Sequence, residues 1–170
     1  HRSELTQTDV VQYQAHAERM AFVVELARRW CALRTTPNAD KRLALILANY
    51  PTKEGRIGNG VGLDTPASVI QILHALRAEG YALGEAPDSI PADGDALMAL
   101  LQQGVTNDPD SWGLRPAMQS LDLAVYQAFF EGLPEANQKA IVQRWGPPAQ
   151  DPMLRQGRFM VSGLRCGRVF

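Results

Sequence analysis

The stretch RLALILANYPTKEGRIGNGVGLDTPASVIQILHALRAEG, residues 42–80, decides the reading of the fold. It opens on an aliphatic run, RLALILANY (42–50), closed by Tyr50-Pro51, which suits a buried strand. Four glycines then fall within eight residues, Gly55, Gly58, Gly60 and Gly62. Thr65 stands where an N-cap belongs, with Pro66 at the first helical position. Val69, Ile70, Leu73, Leu76 and Arg77 carry the helix to a stop at Gly80. YALGEAP (81–87) reads as a second, weaker strand, completing a β-α-β unit with parallel strands and a right-handed connection. The expected fold class is therefore α/β: a Rossmann-like β-α-β core with a small, mainly parallel sheet and flanking helices.

Working outward, Val10, Tyr13, Ala17, Met20, Val24, Ala27 and Cys31 recur at steps of three and four, the stripe of a long helix from Asp9 to about Arg34. Phe22, Val23, Leu26, Trp30 and Leu33 widen its second half, which is expected to be embedded, while the polar first half projects. His16 borders the stripe as a partly exposed structural histidine. Downstream, residues 93–104 predict a helix capped by Asp93, and 105–119 has the composition of a turn and is the segment expected to move. Residues 121–133 and 134–146 predict two helices broken at Pro134. GRFMVSGLRCGRVF (157–170) reads as a C-terminal β-hairpin turning at Arg165 to Gly167, its second strand cut short. The organisation expected is a long N-terminal helix over 1–36 and a single α/β domain over 37–170, cut from a larger chain.

With 170 residues the chain can bury one sizeable core, roughly 70% of its unfolded surface, but is short for two independent domains. A net charge of -1 supplies no basic excess to draw nucleic acid or an anionic membrane. No apolar stretch approaches the roughly 20 residues that span a bilayer, and HRSELTQTD lacks signal-peptide character, so a cytoplasmic location is expected. Two distant cysteines and three scattered histidines suggest neither a disulfide framework nor a metal site.

The glycine loop carries what chemistry is visible. A strand, glycines and a helix N-terminus offer N–H groups and a dipole end to an anion. The order Gly58-Asn-Gly60-Val-Gly62 fails the dinucleotide fingerprint G-x-G-x-x-G, however, and no Walker motif occurs. The loop holds a phosphate, a larger ligand, or nothing, its glycines then serving a tight crossing. Asn49, Tyr50, Lys53, Glu54, Arg56, Asn59 and Asp64 concentrate polar groups at the carboxyl end of a strand, where open α/β sheets bind ligands. Glu54 and Asp64 are candidate bases, although the place of Asp64 one residue before Thr65 suits a helix cap better, and His74 lies on the helix beside Ile70 as a boundary residue or a ligand. Trp112 and Trp145 offer flat faces to a planar ligand or fill core.

Residues 41–81, the NADKR that begins at Asn38, VTND (105–108) and the later run from Tyr126 through FFEGLP and RWGPP to GRF and GRVF resemble the large subunit of aerobic cobaltochelatase (CobN type), related to the H subunit of magnesium chelatase. The resemblance covers nearly the whole chain from about residue 38. It implies an internal domain of a ligase-class metal chelatase that inserts Co2+ into hydrogenobyrinic acid a,c-diamide during cobalamin biosynthesis. ATP would be hydrolysed on AAA+ type partner subunits, with Co2+ as substrate and neither metal nor nucleotide bound to these residues.

The magnesium relatives depart in the loop, with less of G-R-I-G-N and an asparagine at the position of Asp64, so cobalt is implied. The alternative is a scaffold domain of a magnesium-chelatase-like H subunit without substrate contact. The resemblance makes Asn49, Tyr50, Lys53, Gly55, Arg56, Gly58, Asn59 and Gly60 candidate contacts to a carboxylate-rimmed tetrapyrrole, with Glu54, Asp64 and His74 as candidate proton acceptors. The implied partners are the remainder of the large subunit, the ATPase subunits and the tetrapyrrole, with no nucleic acid and no membrane. The isolated chain is expected to be inactive.

Overall fold

The computed structural model describes residues 2–9, 11, 13–48, 57–84, 89–106 and 108–170. The chain divides into two compact units, residues 1–37 and 38–170.

In the first unit the helix α1 spans Ala17–Thr35 and starts well inside the apolar pattern that begins near Asp9. Arg2 and Asp9 instead close a small antiparallel bridge. His16, at the N-cap, supplies no side-chain bond, and the helix is tied locally by Glu25, which accepts from Arg28 at 2.7 Å and Arg29 at 2.8 Å. No residue of α1 is buried, which corrects the expectation of an embedded second half: Trp30 is 65% exposed. Glu25, Arg28 and Arg29 occupy the side away from its stripe, and periodicity alone does not supply a surface to cover the apolar face.

The second unit is built on α2, Thr65–Ala78, and α3, Gly94–Gln103, which pack together. Asp64 and Asp93 cap them, accepting from Ala67 N–H at 3.0 Å and Ala96 N–H at 2.8 Å. Helix α2 ends as the sequence predicts: Tyr81 N–H reaches back to Leu76 C=O and Gly80 N–H to Arg77 C=O, both at 3.0 Å, a Schellman closure. Val69, Ile70 and Leu73 from α2 meet Leu97 from α3, with Leu83, Ile90 and Val169 completing the core.

The sheet overturns the expected Rossmann-like parallel arrangement. It is three-stranded and antiparallel in the order β1-β3-β2, with β1 at Gln119–Asp122, β2 at Leu154–Arg155 and β3 at Arg158–Val161. Gln119 faces Val161, Asp122 faces Arg158, and Leu154 faces Phe159. A hairpin between β2 and β3 turns at Gln156-Gly157, both at positive φ, while at the expected turn Cys166 and Val169 close a single antiparallel bridge around Gly167 and Arg168 without extending into two paired strands. Residues 121–122, read as helix, belong to β1 because they find partners nearly forty residues away.

The run 42–48 alternates inward Leu43, Leu45 and Leu47 with outward Ala44 and Ile46, but its only regular pairing among the described residues is to 168–170. Leu43 N–H donates to Arg168 C=O at 3.1 Å, Phe170 N–H to Leu43 C=O at 2.9 Å and Leu45 N–H to Phe170 C=O at 2.7 Å, a short parallel ladder. Residues 81–84 are irregular and, among the described residues, share one backbone hydrogen bond with this ladder, Arg168 N–H to Ala82 C=O at 2.8 Å. Gly167 permits that approach: its φ is +58°, and a Cβ there would lie 2.6 Å from Ala82 O and 2.7 Å from Leu83 C.

Helices α4, Leu123–Glu131, and α5, Glu135–Trp145, are separated at Pro134 as the sequence requires. Tyr126 of α4 meets Phe159 of β3 edge-on at 5.1 Å between centroids. The segment 105–119 is anchored by its buried Val105 and Thr106, and Trp112 Nε1–H donates to Thr106 C=O at 2.8 Å. Among the described residues no helix is long and apolar enough to cross a membrane.

Candidate functional site

Among the described residues on either side of the glycine loop, Gly58 N–H donates to Ala48 C=O at 2.8 Å. Asn49, Tyr50, Lys53, Glu54, Gly55 and Arg56 lie outside the described residues. Gly58 is buried at a φ of +67°, where a Cβ would lie 3.7 Å from Met98 Sδ of α3; the left-handed backbone, rather than a lack of space, calls for glycine there. Beyond it Asn59 is exposed, and Leu63 N–H returns to Gly60 C=O at 3.2 Å in a tight turn that delivers the chain to α2.

Asp64 ends that turn, and it, not Thr65, is the N-cap. Its Oδ1 accepts from Ala67 N–H, and its carbonyl accepts from Ser68 Oγ at 2.6 Å and Ser68 N–H at 3.0 Å. The carboxylate thereby satisfies a donor that the first helical turn leaves open. His74 sits ten residues on, which along a helix is about 15 Å of rise. It is exposed and borders a groove of about 630 Å³ between α2 and α3, beside Pro91, Ala96 and Gln103. Asp64 and His74 are thus too far apart to serve one proton transfer.

Ile57 lines a largely apolar cavity of about 410 Å³ with Leu45, Leu47, Leu73, Leu101 and Phe170. Cys166 also faces it; burial pushes its thiol up from the ordinary range, with Arg77 opposing, so it is held as a neutral thiol. Both cysteines are free. Among the described residues no group of three or more His, Cys, Asp or Glu side chains could hold a metal ion. Of the two aromatic candidates, Trp112 uses its indole N–H internally, while Trp145 is 71% exposed with the Arg144 guanidinium 5.1 Å from its ring centroid.

The structure therefore keeps Gly58, Asn59, Gly60 and Asp64 together on one turn and separates His74 from them. Sequence reasoning overlooked Arg42, Arg165 and Arg168, which share a pocket at the other end of the strand; the basic pairs Lys41-Arg42 and Arg165/Arg168 were the available signal.

Comparison with known proteins gives the family. The chain is 57% identical over 169 residues, 99% of its length, to the aerobic cobaltochelatase subunit CobN of Pseudomonas aeruginosa, and 39% identical over 163 residues to that of a Sinorhizobium species. It is 28% identical over 155 residues to the magnesium-chelatase H subunit of Chlorobaculum parvum, covering 90% of the chain. It spans only 13%, 12% and 11% of the lengths of these relatives, respectively. No solved structure matches it. The family model described as CobN/Magnesium Chelatase matches residues 1–170, and the chain belongs to that family.

Proposed function

We propose that this chain is part of the large subunit of an aerobic cobaltochelatase, which inserts Co2+ into hydrogenobyrinic acid a,c-diamide in cobalamin biosynthesis in the cytoplasm, driven by ATP hydrolysed on AAA+ type partner subunits. The observation that carries this reading is the gap between 57% identity to a CobN subunit and 28% to a magnesium-chelatase H subunit over nearly the same residues.

In this reading the glycine loop meets the rim of the tetrapyrrole. Lys53, Arg56 and Asn59 bind rim carboxylates and amides, and Asn49, Tyr50 and the backbone at Gly55, Gly58 and Gly60 shape the contact. Metal insertion exchanges two pyrrole N–H protons for one Co2+, so a base must accept them. Of the three candidates, Asp64 is engaged as a helix cap and His74 lies about 15 Å of helix rise away. Glu54, inside the loop, is the base this reading favours. In this reading the isolated 170 residues are inactive.

A second reading, a scaffold domain of a magnesium-chelatase-like H subunit without substrate contact, rests on the 28% identity to such a subunit over 90% of the chain. The test is metal incorporation by the full-length subunit with its ATPase partners, followed by macrocycle absorption. Co2+ entering the diamide supports the proposal; insertion of Mg2+ into a porphyrin, with no cobalt product, overturns it. Arg56→Ala in the full-length subunit should weaken tetrapyrrole binding by roughly 1.5–3 kcal/mol, and an unchanged affinity would favour the scaffold.

A further inference from the structure

Three guanidinium groups meet at one concavity that the chelatase reading does not use. Arg42, Arg165 and Arg168 line a pocket of about 320 Å³ against the parallel ladder of Leu43 with Val169 and Phe170. Because the ladder is parallel, the residues that lead into both of its strands arrive at the same end. The glycine loop leaves the opposite end, five residues beyond Leu43, which is about 16 Å of extended chain.

Among the described residues no acidic side chain lines the pocket. Arg168 donates to Asp40 C=O at 3.1 Å and stands 3.9 Å from its carboxylate, in a contact that is half exposed. Arg42 and Arg165 form no hydrogen bond or ion pair with any described residue. In a chain of net charge -1 this concentration of positive charge is local, not a reflection of a generally basic surface.

Guanidinium forks match carboxylates in shape and charge. All three arginines are nevertheless exposed, whereas sites for small molecules enclose roughly 70–90% of the ligand's surface. An open pocket of this kind suits carboxylates carried on a larger body, whose other contacts lie beyond the pocket. We propose that Arg42, Arg165 and Arg168 form a docking site for an acidic segment of a partner protein, presenting two or more neighbouring Asp or Glu carboxylates.

The test uses the full-length protein and a fluorescently labelled hexaglutamate peptide, followed by anisotropy. Wild-type protein should bind, and raising the salt from about 50 to about 200 mM should weaken binding severalfold as the charges are screened. The double variant Arg42→Gln/Arg165→Gln removes no intramolecular partner and should melt as wild type does. It should bind the peptide about tenfold more weakly, the scale of two lost exposed ion pairs. Arg19→Gln/Arg34→Gln, two arginines on α1, should leave peptide binding unchanged. Modification of arginine by phenylglyoxal should be slowed by the peptide at Arg42 and Arg165. No binding by wild type, equal binding by the pocket variant, an equal loss in the α1 variant, or equal competition by free citrate would each overturn the proposal.

Discussion

Helices α1 and α2 both repeat apolar residues at steps of three and four, yet α2 buries Val69, Ile70 and Leu73 whereas α1 buries none. The periodicity specifies a face, and the surroundings decide whether that face is covered. Helix α2 is fixed at both ends, by Asp64 and by the closure at Gly80, and has α3, Leu83 and Val169 against its stripe. Helix α1 has no side-chain bond at its N-cap; its C-terminus is closed by Thr36 Oγ1, which donates to Ala32 C=O at 2.7 Å, and its flank is supported by its own ion pairs. One helix is therefore specified by long-range packing and the other by contacts within four residues.

Substitutions at the two sites can break this contrast. Leu73, 4% exposed in the core, should cost roughly 2–5 kcal/mol as Leu73→Ala in urea unfolding, through lost burial and the cavity left behind. A loss below about 1 kcal/mol would remove α2 from the centre of the fold. Gly167→Ala should cost on the order of 1–3 kcal/mol, since its left-handed φ is strained for alanine and the new Cβ meets the backbone of residues 82–83. Unchanged stability there would mean that the last residues do not dock against Ala82 and Leu83. At the small end, Trp30→Ala on α1 should shift stability by no more than about 0.5 kcal/mol, and a core-sized loss would show that the tryptophan is covered.

The ion pairs of α1 sharpen the same contrast through pH. The guanidinium groups of Arg28 and Arg29 hold Glu25 down to about 2, below its ordinary 4.5. A depressed carboxyl pKa contributes stability that is present above about 4.5 and is lost as pH falls towards 2. Chemical shifts of α1 should therefore lose helical character across that window at low salt, and less so in Arg28→Gln/Arg29→Gln. High salt should shrink the effect because the pair is exposed. Identical titrations for the wild type and the double variant would refute the local account of α1.

What could be read from the sequence follows this division. The helices α2 and α3, the break at Pro134 and the cap at Asp93 were legible, because caps, stops and prolines act within one turn of the chain. The sheet was not: QSLD (119–122) carries no strong strand signal and becomes β1 only by pairing with residues 158–161. The run 42–48 has the alternation of a strand, but among the described residues its partner proved to be 168–170 and not 81–84, while 85–87 lie outside the described residues. In the site, the turn from Gly58 to Asp64 was anticipated as a loop feeding a helix. The choice between Asp64 and Thr65 as cap depended on side-chain geometry that composition does not encode.

Asp64 caps α2, and in the proposed reading Glu54 rather than Asp64 accepts the pyrrole protons. Asparagine caps a helix about as well as aspartate but cannot act as the base, so Asp64→Asn separates the two roles. The decisive measurement is cobalt incorporation by the full-length subunit with its ATPase partners, alongside thermal melts, for wild type, Asp64→Asn and Asp64→Ala. The account predicts that Asp64→Asn keeps its melting temperature and a rate within about twofold of wild type, while Asp64→Ala loses about 0.5–2 kcal/mol of stability. A rate lower by a hundredfold or more in Asp64→Asn, on the order of a lost general base, with an unchanged melt, would contradict it.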